Sequence, residues 1–255
     1  MYYLHSYGSL APCVFLSRVV GRNERRCSAV AACVTTVGFI GSGMIGSTVA
    51  RLSVAAGHQV VLSNSRGPET LKDLADELGP LARAGTGEQA AADGDIVVVT
   101  IPLRAYRSVP AGPLAGKTVI DTTNYYPQRD GQIAELDSGS ITSSELLQRH
   151  LAGSAVVKAF NNIYYRHLQS LARPAGAADR TFLPIAGDGP EAKQAVSAFL
   201  DSIGYGTVDA GPLADSWRQE PGSPVYGAPY GPFSLEAGTP ASAGTIRFAL
   251  AAATR

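Results

Sequence analysis

The sequence predicts an α/β fold: a doubly wound, mostly parallel sheet followed by a short C-terminal tail and helix. Three observations carry that expectation. Short β-branched segments alternate with stretches of helical period. One segment, Asp95 to Pro102, is a continuous apolar run of the kind buried on both faces of a parallel sheet. The first strand runs straight into a glycine-rich turn that opens a helix.

That first unit is VTTVGFI from Val34, then Gly41, Ser42, Gly43, Met44, Ile45 and Gly46, then STVARLSVAA. Ile45, Val49, Leu52 and Ala56 fall on one helical face. The unpaired N–H groups and positive dipole at a helix start favour an anionic pyrophosphate. Each glycine has its own duty: Gly41 makes the tight turn, Gly43 admits the phosphates to the backbone, and Gly46 lets helix and strand approach. The turn therefore predicts a dinucleotide site on a Rossmann sheet.

Gly57-His58 marks the end of that helix, with His58 expected as a capping or surface group. The second strand, Gln59 to Ser63, leads into Asn64, Ser65 and Arg66, and Pro68 starts the next helix. An enzyme preferring NAD places a carboxylate about here to hold the ribose 2′-OH. This chain has none until Glu69 and offers Arg66, whose planar guanidinium suits a phosphate, so NADP(H) is the expected cofactor.

A short third strand near Leu81 to Ala84 and a helix around Glu88 to Ala92 precede the apolar run. Ligands of such sheets bind beyond the carboxyl ends of the strands, so Thr100, Ile101, Pro102 and Leu103 should border the cofactor through backbone and apolar contacts. The fifth strand, Thr118 to Asn124, ends on the same edge, which places Asn124 among the cofactor residues. Asp121 reads as a catalytic acid or as a cap or turn ligand, the latter being preferred. Thr142-Ser-Ser-Glu145 is a capping box.

The sixth strand, Ala155 to Phe160, delivers Asn161, Asn162 and Ile163 to the ligand edge. Their adjacent amides suit the edge of a heterocycle or the tying of a loop, and both readings stand. The seventh strand, Thr181 to Gly187, contains Pro184 and should lie toward an edge. A helix from Pro190 and a last strand, Tyr205 to Ala210, complete residues 34–212. Residues 213–255 are rich in proline and glycine, then close in a helix, Ser242 to Thr254. Trp217, Tyr226 and Tyr230 favour a packed lid over a flexible linker.

Residues 1–33 lack any period and are expected to be a disordered extension, non-native or mis-started, with a basic arm as the alternative. The apolar h-region of a signal peptide is missing there, which points to a cytoplasmic protein. All three cysteines, Cys13, Cys27 and Cys33, lie in that segment without zinc-ligand spacing, and no metal site is expected. No apolar run reaches the length that spans a bilayer. Lys plus Arg and Asp plus Glu balance at 21 each, which gives no electrostatic case for nucleic acid or an anionic membrane, so the expected partner is a small molecule.

With these residues in hand, the chain resembles the NADPH-dependent F420 reductase family. The matching segments are VGFIGSGMIGSTVARL, VVLSNSRGPETL, GDIVVVTIP, VIDTTNYYPQRDGQ, VVKAFNNI, LPIAGDGPEAK and VDAGPL. PVYGAPYG and the alanine-rich last helix are similar to actinobacterial members. VVKAFN and IAGD..EAK are also similar to the oxidoreductase domain of the STEAP metalloreductases. The resemblance implies hydride transfer between NADP(H) and a deazaflavin, coenzyme F420, or a flavin-like acceptor. By position it implies that Gly41 to Gly46 hold the pyrophosphate, that Ser65 and Arg66 hold the 2′-phosphate, and that Thr100 to Leu103 lie along the nicotinamide ribose. Asn161 to Ile163 fall at the deazaflavin site, although archaeal members often carry histidine at the position of Asn161.

Such a transfer needs stacked rings in a dry cleft and no general acid, so no catalytic side chain is expected. His150, His167, Tyr164, Tyr165 and Lys158 are candidates only if the substrate is a carbonyl or imine. A reductase of small imines or carbonyls and a non-catalytic NADP sensor are the alternative readings. The first normally carries a long helical second domain, for which too little chain follows the last strand. A homodimer joined through the tail is a further hypothesis.

Overall fold

The computed structural model describes residues 35–255, and the expected N-terminal extension lies outside them. The strands are β1 (Thr36–Ile40), β2 (Gln59–Ser63), β3 (Ala82–Ala84), β4 (Ile96–Val99), β5 (Thr118–Asp121), β6 (Ala155–Lys158), β7 (Phe182–Gly187) and β8 (Gly206–Asp209). The helices are α1 (Met44–Ala55), α2 (Lys72–Leu78), α3 (Gly87–Asp93), α4 (Ala111–Leu114), α5 (Pro127–Asp130), α6 (Ala134–Asp137), α7 (Ser143–His150), α8 (Tyr165–Ser170), α9 (Pro190–Ser202) and α10 (Ala243–Ala251).

The strand order is β3-β2-β1-β4-β5-β6-β7-β8, parallel except for the β6–β7 pair. This is the doubly wound α/β sheet that the sequence predicts. The chain runs outward from β1 to β3, then crosses back to lay β4 on the other side of β1. That reversal opens a crevice at the carboxyl ends of β1 and β4, where the loops diverge.

Strand periodicity sorts side chains into two apolar layers. In β4, Ile96 and Val98 enter one cluster with Val37 and Phe39 of β1, whereas Val97 and Val99 enter the other with Ile40. A run buried on both faces has to be apolar throughout, which is why β4 reads IVVV. Gly38 of β1 is glycine because α3 rests on it: a Cβ there would lie 2.0 Å from the Ala90 carbonyl oxygen.

Two expectations need correction. β7 is one place in from the edge, with β8 outside it. Pro184 is tolerated because the ladder to β6 involves only Ala186 and Gly187, so the missing N–H falls beyond it. His58 is not a surface group. It is 4% exposed, with Nδ1 facing the Thr35 N–H at 3.3 Å and Nε2 on Ser202 Oγ at 2.8 Å, and it ties the end of α1 to α9.

The C-terminal segment is part of the core. Val225, Tyr230, Ala241 and Ile246 are fully buried in the larger cluster, and the Phe182 N–H donates to the Ala241 carbonyl. Among the described residues no helix is long and apolar enough to cross a membrane.

Candidate functional site

At the carboxyl edge of β1 the turn takes the shape its glycines permit. Gly41 has φ 100, and a Cβ there would lie 2.3 Å from the Thr100 carbonyl oxygen. A Cβ at Gly46 would lie 2.6 Å from the Gly41 oxygen. Gly43 differs, because a Cβ there would meet no atom within 4 Å. Gly43 is the N-cap of α1, with no side-chain cap and no acidic residue in the first turn. Bare N–H groups thus open onto free space, which fits a pyrophosphate. Ser42 anchors the turn by donating from Oγ to the Ser63 carbonyl at 3.0 Å.

Beyond β2, Asn64 is spent on the loop. Its Oδ1 accepts from the Arg66 N–H at 2.8 Å and its Nδ2 donates to Thr70 Oγ1 at 2.9 Å. Ser65 and Arg66 are exposed, and the Arg66 guanidinium has no ion-pair partner among the described residues. The Glu69 carboxylate lies against Gly67, the next residue after Arg66.

Thr100 and Ile101 pack against the turn, with the Thr100 methyl against Gly46 and Ile101 Cγ2 against Gly41. Pro102 is exposed. Leu103, expected along the cofactor, is fully buried and packs in a small cluster with Ile141 and Leu146. The chain has entered a 3-10 turn there, Leu103–Ser108, which directs that side chain inward.

A cavity of about 300 Å³ lies beside the start of α1. Met44 and Ile45 form one wall, and Thr122 and Asn124, just past β5, form another. Phe160 to Tyr165 line the floor, while Tyr226 and Phe233 of the C-terminal segment close the remaining side. The cavity brings together Met44, Ile45, Asn124, Asn161, Asn162 and Ile163 from the expected set. Tyr226 was expected only in a lid, and Phe233 was missed, being hidden in a turn-rich stretch without period.

The asparagines mainly tie down the chain. Asn124 and Asn161 exchange two bonds, Asn124 Nδ2 to Asn161 O at 2.8 Å and Asn161 Nδ2 to Asn124 Oδ1 at 2.9 Å. Asn161 Nδ2 also donates to the Gln219 carbonyl at 2.7 Å. Asn162 Nδ2 donates to Val225 O at 3.0 Å and Tyr230 Oη at 3.2 Å. Of the two readings left open by the sequence, loop-tying accounts for every amide N–H. Phe160, immediately before them, is the one non-glycine residue at positive φ among the described residues, at 60. Such strain persists only where its surroundings over-determine it, as these paired amides do.

The side chains suited to moving protons are mostly committed. Lys158 is fully buried and donates to Thr123 O, Ser143 Oγ and Ser144 Oγ, each at 2.9 Å, with Asp121 Oδ2 at 3.6 Å. Asp121 accepts from Ser144 Oγ at 2.6 Å and the Thr123 N–H at 2.8 Å, which makes it the turn ligand of the preferred reading. His150 is bonded to Val109 O and His167 to Leu235 O. Tyrosines remain. The Tyr126 and Tyr226 hydroxyls share a bond of 2.6 Å, and burial pushes the Tyr226 phenol well above its ordinary value.

Residues 36–125 match the family described as NADP oxidoreductase, coenzyme F420-dependent. A 53-residue stretch is 38% identical to the protein YjhV of Escherichia coli (strain K12), over 21% of this chain and 39% of that protein. The hypothetical protein SMa0349 of Sinorhizobium meliloti superposes with a TM-score of 0.66 at 28% identity, over 76% of this chain and 93% of that one. A protein of Arthrobacter sp. fb24, assigned as an F420-dependent NADP-reductase, gives 0.60 at 22% identity over 73% and 88%. A reductive aminase from Aspergillus terreus, solved with NADPH, gives 0.52 at 18% identity over 72% and 57%. The last two likenesses concern the fold. The family match spans the glycine turn, the Arg66 corner and the end of β5, and it is over these residues that the chain is similar to the NADP oxidoreductase, coenzyme F420-dependent family.

Proposed function

We propose that the protein transfers a hydride between NADP(H) and a planar acceptor of the deazaflavin or flavin type. The observation that carries the proposal is the position of the cavity: its first wall is Met44 and Ile45, the residues that open α1 directly after the phosphate turn. A nucleotide held at Gly41 to Gly46 by the uncapped N–H groups of α1 would have its reactive ring at the adjacent aromatic wall. Ser65 and Arg66 would hold the 2′-phosphate, with Asn64 fixing their turn. Thr100, Ile101 and Pro102 would border the ribose. When bound, NADPH supplies a hydride from nicotinamide C4 that the deazaflavin takes at C5, a solvent proton completing the reduction.

The protein's contribution is then orientation and exclusion of water. Reduction of an imine or carbonyl needs a proton delivered at the reacting atom. Lys158, His150 and His167 are held elsewhere, which leaves that alternative only the phenols of Tyr164, Tyr165 and Tyr226 at the cavity. The test is to mix the purified protein with NADPH and then with F420, FMN, FAD or a simple imine, following absorbance at 340 nm. Oxidation of NADPH by the deazaflavin or flavins supports the proposal. Oxidation by the imine alone, or by none, refutes it.

A further inference from the structure

Four large apolar side chains are exposed among the described residues: Met44, Phe233, Leu235 and Phe248. Two of them, Met44 at 65% and Phe233 at 50%, line the same cavity. Apolar surface collected at one opening marks a place where a ligand covers it.

The ring of Phe233 is seated by the backbone beneath it. Gly227 has φ 77, and a Cβ there would lie 2.4 Å from Phe233 Cζ, so only a bare backbone lets the ring rest there. Around it, Tyr164 lies 5.6 Å away and Tyr226 6.2 Å away between ring centroids. Asn162 brackets this stretch from both ends: Nδ2 holds Val225 O and Tyr230 Oη, while its carbonyl accepts from the Gly227 N–H at 2.9 Å. The Tyr126 hydroxyl, outside the cavity lining, holds Tyr226 through the bond between their hydroxyls.

We infer that Tyr164, Tyr226 and Phe233 form an aromatic jaw that selects the acceptor by stacking, with Asn162 and Tyr126 as positioning residues that hold its C-terminal half. The inference rests on the reading that the acceptor enters this cavity, and it moves acceptor recognition from the asparagines to the rings they hold. Stacking rewards a flat conjugated surface and makes no demand for a particular hydrogen bond. The class accepted is therefore a fused heteroaromatic ring, and small aliphatic imines and carbonyls are passed over.

The probe is FMN, whose fluorescence falls when it stacks on a tyrosine such as Tyr164 or Tyr226, titrated with the full chain both without nucleotide and with NADP⁺. Phe233→Ala weakens FMN binding about five- to tenfold and raises the KM for F420 by the same factor, with kcat little changed and NADPH affinity within twofold. Phe233→Tyr restores it. Asn162→Ala gives a comparable loss, and adding Phe233→Ala to it costs little more, because both act on one ring. If Asn162→Ala does not fold, Tyr126→Phe carries the positioning arm and shows the same non-additivity with Tyr226→Phe. Unchanged FMN binding in Phe233→Ala and Tyr226→Ala, or 1-pyrroline reduced as efficiently as F420, overturns the inference. Failure of NADPH to bind in calorimetry would instead sink the cofactor assignment, while the nucleotide-free FMN titration still decides the jaw.

Discussion

On the proposed reading, Arg66 carries the nucleotide preference. Its guanidinium is exposed, without an ion-pair partner among the described residues, and it follows a turn that Asn64 pins at the Arg66 N–H. A charge-assisted bond to phosphate contributes about 1.5–3 kcal/mol, so Arg66→Ala should weaken NADPH binding roughly tenfold to a hundredfold and leave NADH unaffected, as read by calorimetry at fixed salt. The glycines separate binding from folding. Gly43→Ala adds a methyl that meets no protein atom, so the melting temperature should hold while nucleotide affinity falls. Gly41→Ala forces a side chain to φ 100 and into the Thr100 carbonyl, and should lower stability by at least about 1–3 kcal/mol by thermal melting. Those glycine duties are legible in the sequence because each is a local steric demand. The inward turn of Leu103 is not, since it depends on a cluster made by Ile141 and Leu146.

The end of β6 is where separate elements are joined. Lys158 binds the carbonyl after β5 and the first two hydroxyls of α7, and Glu220 of the C-terminal segment accepts from Ser143 Oγ at 2.6 Å in the same cluster. Lys158→Met would leave Asp121, fully buried, without its cation. Breaking such a pair costs about 3–5 kcal/mol, which a lowered denaturation midpoint should report. Adding Asp121→Asn should recover part of the loss. Strand and helix positions follow from periodicity, and the capping box at Thr142 and Glu145 forms as its spacing predicts. The use of Asn161 and Asn162 does not follow, because an amide can donate or accept and its partners, Gln219 and Val225, lie far along the chain.

Across the whole molecule, His58 links the first helix to the ninth and gives global stability a pH dependence. Burial holds its pKa below the ordinary 6.5, so the unfolded chain binds the proton more readily than the folded one. Its contribution is intact above about pH 6.5 and is lost as the pH falls below that value. Melting temperature should therefore decline between pH 7 and pH 5 more steeply in the wild type than in His58→Gln; equal slopes would exclude the assignment. The alternation of strands and helices and the glycine turn were enough to read the sheet, and the missing carboxylate after β2 to point to the proposed cofactor, because each expresses itself in neighbouring residues. Long-range packing assembled the aromatic side of the cavity: it turned β7 antiparallel, buried Tyr230 in the core and brought Tyr226 and Phe233 to the cavity that Met44 also lines. Those contacts join residues remote in sequence, and the free energy that selects among them comes from burying their apolar surface together, which no local pattern encodes.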